Sequence, residues 1–422
     1  MNKKTTILKG DAGMEIIKTG QRDDLGFPVL KKAGEPEPVI LPEEEPAAVR
    51  AKYEGAKFAL EAASGGRNSL LFDDLGRPSV MVRIPMFLWS DVLEGAPAEP
   101  CSAFVAGGRV LDSIWISKYE NVVEYGRAYS LPGRDPAHTL SIDEARAACA
   151  AKGPGWHLLT NAEWCAIMHW CVRNGTVPRG NASFGCDPGR PWDRGVLSPG
   201  QKRGRGTEEE MRTLTGTGPD RWNHDGGPWG IADLNGDVWN WVAGIRTVDG
   251  EIQFIPDNDS ALNVDEGPDS PLWKAVLPDG SFAAPGTPGT MKYDGTAPGT
   301  DSPEDIGVRG GYRLNTALEY PNYTGSEADT AHRAYGWCFF RSLAPAEGLE
   351  VPPILQRLGA MPAPGDYKDC SILFLRNYGE RLAARGGSWF DGNFGGAWDL
   401  YLRETRAFIY PDIGFRAAWI EP

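Results

Sequence analysis

Two segments of the chain place apolar residues at the spacing of an α-helix. The first follows Ser141 and the second follows Thr160, and each has a Glu three positions later, which is the signature of a capping box. Gly153 and Gly175 end the two predicted helices. The apolar residues of the second helix share one face: Trp164, Ile167, Met168 and Cys171. We expect this face to pack in the core.

The N-terminal part of the chain differs from the rest in composition. Two short apolar runs predict strands: residues 80–85 and 114–119. Upstream, residues 32–46 are rich in acidic residues and proline, which is typical of a linker, and residues 47–63 have the composition of one helix. We therefore divide the chain into an N-terminal appendage or linker of unknown role, residues 1–78, and one domain, residues 79–422.

Near the C-terminus a short segment alternates between apolar and polar side chains. In residues 399–403, Leu400 and Leu402 fall on one face of a strand. Asp399, Tyr401 and Arg403 fall on the other face. We expect the first face to lie in the core and the second to face solvent.

Composition supports a folded protein with many loops. The chain has 422 residues, of which 41% are hydrophobic and 24% charged, and this excludes disorder over the whole length. Its 53 glycines and 34 prolines favour turns. A formal net charge of −14 argues against nucleic acid as a partner. Acidic residues, Pro and Gly are concentrated near the middle, so we expect a solvated acidic loop insertion at about residues 245–306.

The seven cysteines and five histidines form no recognisable metal-binding pattern. The sequence has no CxxC pair and no HExxH motif. Cys165 and His169 fall opposite the apolar stripe of the second predicted helix, where we expect surface residues rather than ligands. We expect the thiols to be reduced and structural.

The N-terminus carries lysines that no apolar stretch follows, so we expect no secretory signal. No window approaches the roughly 18 apolar residues that a membrane helix needs. We expect cytoplasmic synthesis without membrane insertion. A virion (phage tail) or a cell surface, reached by another route, is the expected place of action.

Four stretches together resemble one family of known proteins. They are residues 157–164 (HLLTNAEW), 230–241 (GIADLNGDVWNW), 385–389 (RGGSW) and 413–416 (IGFR). Their order and rough spacing are similar to those of the formylglycine-generating enzymes, or sulfatase-modifying factors, which have a C-type lectin fold. The resemblance covers roughly residues 80–422. It implies an α+β fold with two helices, small antiparallel sheets and much irregular loop.

The same resemblance argues against catalysis. Formylglycine-generating enzymes use two copper-binding cysteines a few residues after RGGS, and those positions hold Asp391 and Gly396 in this sequence. No cysteine follows Cys370, and neither residue can supply a thiolate. The related sulfoxide synthases use an iron site built from a histidine cluster, which this sequence lacks. We therefore expect no enzymatic activity.

A structural calcium ion is the one cofactor that the resemblance implies. The loop that is similar to GNVWEW binds calcium in the family, through oxygen atoms. The matching donors are the side chains of Asp233 and Asn240 and the carbonyls of Gly236 and Val238. Asn240 stands where the family has Glu, which removes one charge and weakens the expected site. A metal-free turn is the alternative.

The segment at about residues 385–416 resembles the variable region of proteins that are diversified by retroelements and use the same lectin-like fold. In such systems template adenines are randomised, so that AAY codons come to encode many residue types. The segment lacks Lys, Gln and Met, which such codons cannot become, although Trp398 and Glu404 do not fit the codon pattern. The predicted ligand-binding residues are Phe390, Asp391, Asn393, Phe394, Trp398, Asp399, Tyr401, Arg403, Glu404, Phe408, Ile409, Tyr410, Pro411 and Asp412.

Aromatic residues interspersed with charged ones are typical of binding surfaces, because rigid rings supply contact area at low entropic cost. We therefore expect a non-enzymatic, receptor-recognising protein whose C-terminal surface is diversified by a retroelement, associated with a phage or prophage tail. The expected ligand is a protein or a cell-surface molecule. Two alternatives stay open. One is a formylglycine-generating or sulfoxide-synthase-like metalloenzyme with a displaced metal site, and the other is a structural or adhesive module whose C-terminal aromatic residues are core.

Overall fold

The computed structural model describes residues 44–201, 211–296, 311–320, 336–363 and 371–422. It also gives the backbone of four strands nearer the N-terminus, which form one antiparallel sheet: β1 (Ile7–Lys9), β2 (Glu15–Arg22), β3 (Pro28–Lys32) and β4 (Pro38–Ile40). Cys370 and residues 297–306 of the predicted acidic loop lie outside the described residues. Within the described part of the chain, every helix is too short or too polar to cross a bilayer.

The chain is a mixed α+β protein with few helices. The described residues contain six α-helices: α1 (Pro46–Ala51), α2 (Glu54–Ser64), α3 (Trp89–Val92), α4 (Ile142–Ala150), α5 (Asn161–Asn174) and α6 (Pro353–Arg357). The resemblance implies two helices within residues 80–422; α4 and α5 lie there, and the described residues of that range add only the short helices α3 and α6. The single helix predicted over residues 47–63 is split into α1 and α2.

Helices α4 and α5 begin where their capping boxes predict. The backbone N–H of Glu163 donates to Thr160 Oγ1 at 3.1 Å, and that of Thr160 donates to the Glu163 carboxylate at 3.0 Å. Ser141 and Glu144 form the same reciprocal pair ahead of α4. Helix α5 ends at Gly175, whose left-handed φ of 68° suits glycine. The sequence prediction of both helices is confirmed.

Helix α5 is buried on both sides. Trp164 on its predicted apolar face has no exposed surface, but Cys165 and His169 on the opposite face are buried as well. The expectation that these two residues lie at the surface is therefore wrong. The cause is the segment around α6, whose Gln356 and Arg357 carbonyl oxygens lie 3.2 Å from His169 Nε2.

A five-stranded antiparallel sheet joins the two ends of the main domain. In sheet order its strands are β12 (Trp156–Leu158), β26 (Ala417–Trp419), β9 (Ser113–Ser117), β6 (Pro78–Pro85) and β5 (Asn68–Phe72). Strand β5 pairs along its whole length with β6. Residues 68–72 of the predicted appendage are thus hydrogen-bonded to this sheet, and the boundary at residue 78 stays a prediction.

The second large sheet is mixed rather than antiparallel. Its strands are β15 (Trp239–Val248), β16 (Glu251–Phe254), β17 (Lys274–Val276), β18 (Phe282–Ala283), β19 (Lys292–Gly295), β20 (Tyr312–Asn315), β21 (Gly336–Phe339), β22 (Ile372–Leu375), β23 (Glu380–Arg385), β24 (Leu400–Leu402) and β25 (Ile413–Phe415). Strand β25 runs parallel to β15, and β24 runs parallel to β22. Small antiparallel sheets were expected; the five-stranded sheet is antiparallel, whereas this sheet of eleven strands among the described residues also contains parallel pairs.

Three two-stranded hairpins complete the strands of the described residues. They are β7 (Val105–Ala106) with β8 (Arg109–Val110), β10 (Asn121–Glu124) with β11 (Arg127–Ser130), and β13 (Cys186–Asp187) with β14 (Arg190–Arg194). The tryptophans of the sequence motifs, Trp164, Trp239 and Trp241, are all buried between these layers. Because the fold has few long helices, these large indole rings fill much of the core.

The predicted acidic insertion is not a solvated loop over its described part. Residues 245–296 contain strands of the large sheet, and Trp273, Met291 and Tyr293 are fully buried. Its acids are also used internally: the Asp294 carboxylate accepts the backbone N–H groups of Glu319 and Tyr320, each at 2.9 Å. Acidic composition therefore wrongly predicted exposure here. A buried carboxylate that accepts several hydrogen bonds can stabilise the fold instead of facing solvent.

Candidate functional site

The C-terminal surface is built on a buried arginine. Arg385, at the end of β23, has no exposed surface. Its guanidinium donates to Asn161 Oδ1 at 2.8 Å and to the carbonyl oxygen of Gly359 at 2.9 Å. These bonds tie the large sheet to helix α5 and to the segment after α6. The planar fork of an arginine suits this arrangement, because several acceptors lie in different directions.

The chain turns sharply after Arg385. Gly386 has a φ of 93°, and its carbonyl oxygen accepts the N–H of Gly236 at 2.7 Å. A Cβ at Gly386 would lie 2.9 Å from the indole of Trp164. Glycine is therefore required both by backbone conformation and by the close approach of α5. This turn directs the following residues away from the core.

The first exposed loop covers residues 389–395. Phe390 is 44% exposed and rests edge-on against Trp389, with ring centroids 5.0 Å apart. Asn393 is exposed, and Phe394 is half-buried. The Asp391 carboxylate accepts the Ser388 N–H at 2.6 Å and its hydroxyl at 3.0 Å. Asp391 thus stabilises the turn that presents Phe390.

The second exposed loop covers residues 403–412. Ile409 and Tyr410 are 49% and 52% exposed, and the Tyr410 ring stacks on half-buried Phe408 at 6.0 Å. Backbone contacts hold the loop from outside: the N–H of Thr139 donates to Tyr410 O at 3.1 Å, and Arg212 donates to the carbonyl oxygen of half-buried Pro411 at 3.2 Å. The rings are therefore exposed on a fixed backbone.

Five of the predicted ligand-binding residues lie inside the molecule. They are Trp398, Asp399, Tyr401, Glu404 and Asp412. The expectation that Asp399 and Tyr401 face solvent is wrong, because the Tyr401 ring packs against Trp239 and Phe374, and Asp399 is fully buried beside the start of β24. The Asp399 carboxylate accepts the N–H of Ile372 at 2.7 Å, so it fixes the entry to β22.

The buried and half-buried charges of the second loop form a small network. The Glu404 carboxylate lies 2.9 Å from Arg403 Nε and 3.6 Å from Arg376 Nη1. The hydroxyl of Tyr401 donates to Glu404 Oε1 at 3.3 Å. Arg403 and Glu404 are the two charged residues of this network that belong to the predicted ligand-binding set. Arg403 is half-buried and is the more exposed of the two.

Burial perturbs two carboxyl groups at this surface. Desolvation raises the pKa of Asp412 to about 7, and the neighbouring Asp391 carboxylate adds to the rise. Desolvation likewise raises the pKa of Asp391 to about 6, although its bonds to Ser388 act in the opposite direction. Ionisation of this pair is therefore costly near neutral pH.

Sequence reasoning missed the aromatic residues that back Phe394. Trp337 and Phe339 of β21 approach the Phe394 ring with centroid distances of 5.6 and 6.1 Å. They fall on the same face of a strand because they are two residues apart. This alternation is a signal in the sequence, but only the pairing of β21 with β22 brings it to the C-terminal loops.

The four predicted calcium ligands are mostly engaged with protein groups. Asp233 Oδ2 accepts the N–H of Gly216 at 2.7 Å, and Asp233 O accepts a hydrogen bond from the buried Arg416. The Asn240 amide donates to the carbonyl oxygen of Val238 at 2.9 Å. Two of the four predicted donors, the Asp233 side chain and the Val238 carbonyl oxygen, are therefore already engaged by N–H groups of the protein.

Unpartnered oxygens do lie beside this set. Among the unpartnered buried atoms of the described residues are Glu120 Oε2, Asp237 Oδ2 and, within the predicted set itself, Asn240 Oδ1. Desolvation raises the pKa of Asp237 to about 7 and that of Glu120 well above its usual range. No group of three or more His, Cys, Asp or Glu among the described residues is placed to hold a metal. Calcium binding therefore stays a prediction. It can be tested by measuring the melting temperature of the protein with and without calcium.

Comparisons with known proteins give distant structural neighbours only. No family model and no curated protein matches this chain. Among solved structures, a Treponema denticola variable protein 1 has 12% sequence identity and a TM-score of 0.30, over 84% of this chain and 99% of its own. A Major Tropism Determinant I1 variant has 11% identity and a TM-score of 0.29, over 99% of this chain and 86% of its own. At TM-scores this low, the likeness carries no argument about the fold or function of this chain.

Proposed function

We propose that this protein is a non-catalytic receptor-recognition protein whose C-terminal surface binds a protein or a cell-surface molecule. The observation that carries the proposal is the exposure of Phe390, Ile409 and Tyr410 on two loops anchored by fully buried framework residues. Exposed aromatic and aliphatic side chains cost solubility unless a partner covers them. Anchored loops keep the ordering cost of binding low.

We further propose that a retroelement diversifies this surface. The separation between framework and surface supports this idea: Arg385, Trp398 and Phe415 are buried, while most of the codon-compatible assortment is exposed or half-buried. Substitutions at exposed positions far from structural features usually change the free energy of unfolding by less than about 0.5 kcal/mol. Buried members such as Tyr401 and Asp399 belong to the fold, and we remove them from the proposed contact surface.

The absence of catalysis is also part of the proposal. Asp391 stands where the formylglycine-generating enzymes have the first copper-binding cysteine. Its carboxylate accepts hydrogen bonds from the N–H and the hydroxyl of Ser388. At the second, a Cβ on Gly396 would lie 2.1 Å from Ser371 Oγ, so any side chain would force the backbone apart. These contacts support a scaffold in which this part of the chain holds a turn.

The finer fold and the setting are proposed on the same basis. We infer a C-type lectin fold of the formylglycine-generating-enzyme type. It is supported by the pairing of β26, at the C-terminus, with β9 and β12, and by the two capped helices α4 and α5. A phage or prophage tail, or a cell surface, is the proposed location. An experimental structure that lacked the β26 pairings would contradict the fold assignment.

Sequencing of the DNA around the gene tests diversification. We expect a reverse-transcriptase gene and a near-identical copy of the segment for residues 385–416, differing only at adenines. The differing codons should be those for exposed residues such as Phe390, Ile409 and Tyr410. An intact locus without such a copy, or a copy that differs mainly at codons for buried residues such as Leu400, would refute the retroelement.

A further inference from the structure

A second concave site is formed by residues outside the two C-terminal loops. It is a cavity of about 560 Å³ between β6, α5 and the loop at residues 224–229. This volume falls in the range typical of small-molecule sites. The apolar part of its lining consists of three core residues and three half-buried aromatic residues: Val82, Ile84, Ile167, Phe87, Trp170 and Trp229. The cavity therefore offers an apolar space large enough for an aromatic ring system.

The charged side chains at this cavity are paired or point elsewhere. The Asp225 carboxylate accepts the N–H of Gly227 at 2.9 Å and lies 3.4 Å from Arg67 Nη1, so these two lining residues balance each other in charge. Arg83 alternates along β6 with the core residues that line the cavity, and its Nε donates to Ser113 Oγ of the neighbouring strand β9 at 3.1 Å. Among the described residues, the lining thus presents no unbalanced charge to a ligand.

His224 contributes a polar group with a defined tautomer. Its Nδ1 accepts the N–H of Ile231 at 2.8 Å, so in the neutral ring the proton lies on Nε2. Desolvation lowers the pKa of His224 to about 4, which keeps the ring neutral at physiological pH. The ring is therefore a hydrogen-bond donor at Nε2 and carries no charge.

This donor reaches solvent through the cavity. Nε2 has no hydrogen-bond acceptor among the described residues, yet it is not one of their fully buried unpartnered atoms, so it keeps accessible surface. The side chain as a whole is only 7% exposed. It lines the cavity beside Trp170, with ring centroids 5.4 Å apart. An acceptor atom in the cavity would therefore pair a donor that the protein itself leaves unpaired.

We propose that this cavity binds a neutral aromatic molecule that places one acceptor atom against the Nε2–H of His224. Phe87, Trp170 and Trp229 supply contact area for a planar ring. A neutral ligand fits because burying a charge without a partner is costly, and the lining charges already balance each other. One donor in an otherwise apolar site fixes the orientation of the ligand. Since the C-terminal loops take no part in the lining, this binding does not depend on the proposed receptor recognition.

Three probes of similar shape test the proposal on the full chain by equilibrium dialysis near neutral pH. They are 2-acetylnaphthalene, which is neutral and has a carbonyl acceptor, 2-ethylnaphthalene, which lacks the acceptor, and the anion 2-naphthoate. The ketone should bind with a Kd of about 1 mM or tighter. It should bind about tenfold more tightly than 2-naphthoate, because the cavity has no free cation to offset desolvation of the carboxylate.

The variant His224→Asn isolates the donor. An Asn side chain keeps an acceptor near the position of Nδ1 for the Ile231 N–H, but it is too short to replace Nε2. It should weaken binding of 2-acetylnaphthalene about five- to tenfold, which is the worth of one neutral hydrogen bond, and leave 2-ethylnaphthalene nearly unchanged. Trp229→Ala should weaken binding of both neutral probes, since it removes a wall of the cavity.

Controls make each outcome decisive. Phe390→Ala, at the C-terminal surface, should leave all affinities unchanged, and a loss in this variant would place the probes at the proposed receptor site instead. Melting temperatures show whether the cavity variants retain the fold, and the comparison with 2-naphthoate on the wild type needs no variant. Tighter binding of 2-naphthoate, an equal effect of His224→Asn on both neutral probes, or a Kd weaker than about 1 mM for both would overturn the proposal.

Discussion

The rings of Tyr401 and Trp239 pack inside the molecule with centroids 5.0 Å apart. Tyr401 also contacts Phe374 at 5.6 Å and is only 9% exposed. By contrast, Tyr410, nine positions later, is 52% exposed on the second loop. Two tyrosines of one sequence segment therefore serve different purposes, one in the core and one at the surface.

This difference predicts a clear contrast in stability. Tyr401→Ala should lower the free energy of unfolding by about 3 kcal/mol, because it removes a buried ring and leaves a cavity. Tyr410→Ala should change it by less than about 0.5 kcal/mol. Denaturant unfolding of the two variants measures both values. If Tyr410→Ala were as destabilising as Tyr401→Ala, the second loop would be part of the core and the structural-module alternative would be favoured.

Arg385 should not tolerate replacement by another cation. Arg385→Lys keeps the charge but cannot reach Asn161 Oδ1 and the Gly359 carbonyl oxygen together, and it leaves buried acceptors unpaired. We expect a loss of about 2 kcal/mol or more in the free energy of unfolding. Arg83→Lys, at an exposed position, is the matched control and should have little effect. Equal stability of the two variants would contradict the anchoring role of Arg385.

The Asp412 carboxyl should make stability depend on pH. Its pKa is about 7 in the folded protein and about 4 in an unfolded chain. Between these values the folded state retains a proton that the unfolded state has lost, so its contribution to stability decreases as pH rises from about 4 to 7. Asp412→Asn should therefore be comparable to the wild type near pH 4 and more stable near pH 8. Urea titrations across this range would show a constant difference if Asp412 had an ordinary pKa.

Gly396 should be intolerant of any side chain. Gly396→Ala places a methyl group against Ser371 and should cost about 1–3 kcal/mol, since the backbone at residues 371 and 396 must separate. Gly55→Ala in helix α2 is the control. It has open space around it and should stabilise by roughly 0.5–1 kcal/mol. Thermal unfolding of both variants measures the difference, and a stable Gly396→Ala protein would weaken the steric argument against a cysteine at this position.

The sequence predicted the local elements better than their surroundings. The capping boxes at Ser141 and Thr160 located the starts of α4 and α5, because a cap depends on neighbours three residues away. The burial of His169 was not predictable, because it depends on a segment nearly 190 positions later. The acidic composition of residues 245–296 did not reveal its strands either, although β15 and β16 pair locally across the turn at Asp249 and Gly250.

The candidate surface shows the same division. The alternation in residues 399–403 correctly predicted that Leu400 and Leu402 are buried. It wrongly predicted that Asp399 and Tyr401 are exposed, because the sequence of one strand does not show whether both of its faces are covered.

By itself, the sequence determined the two capped helices and a C-terminal segment of mixed aromatic and charged residues. These follow from interactions within a few positions, where steric and hydrogen-bonding rules act without knowledge of the fold. Tertiary structure alone decided which of those residues reach solvent. Burial is a property of the packed layers, and distant segments supply the atoms that exclude water.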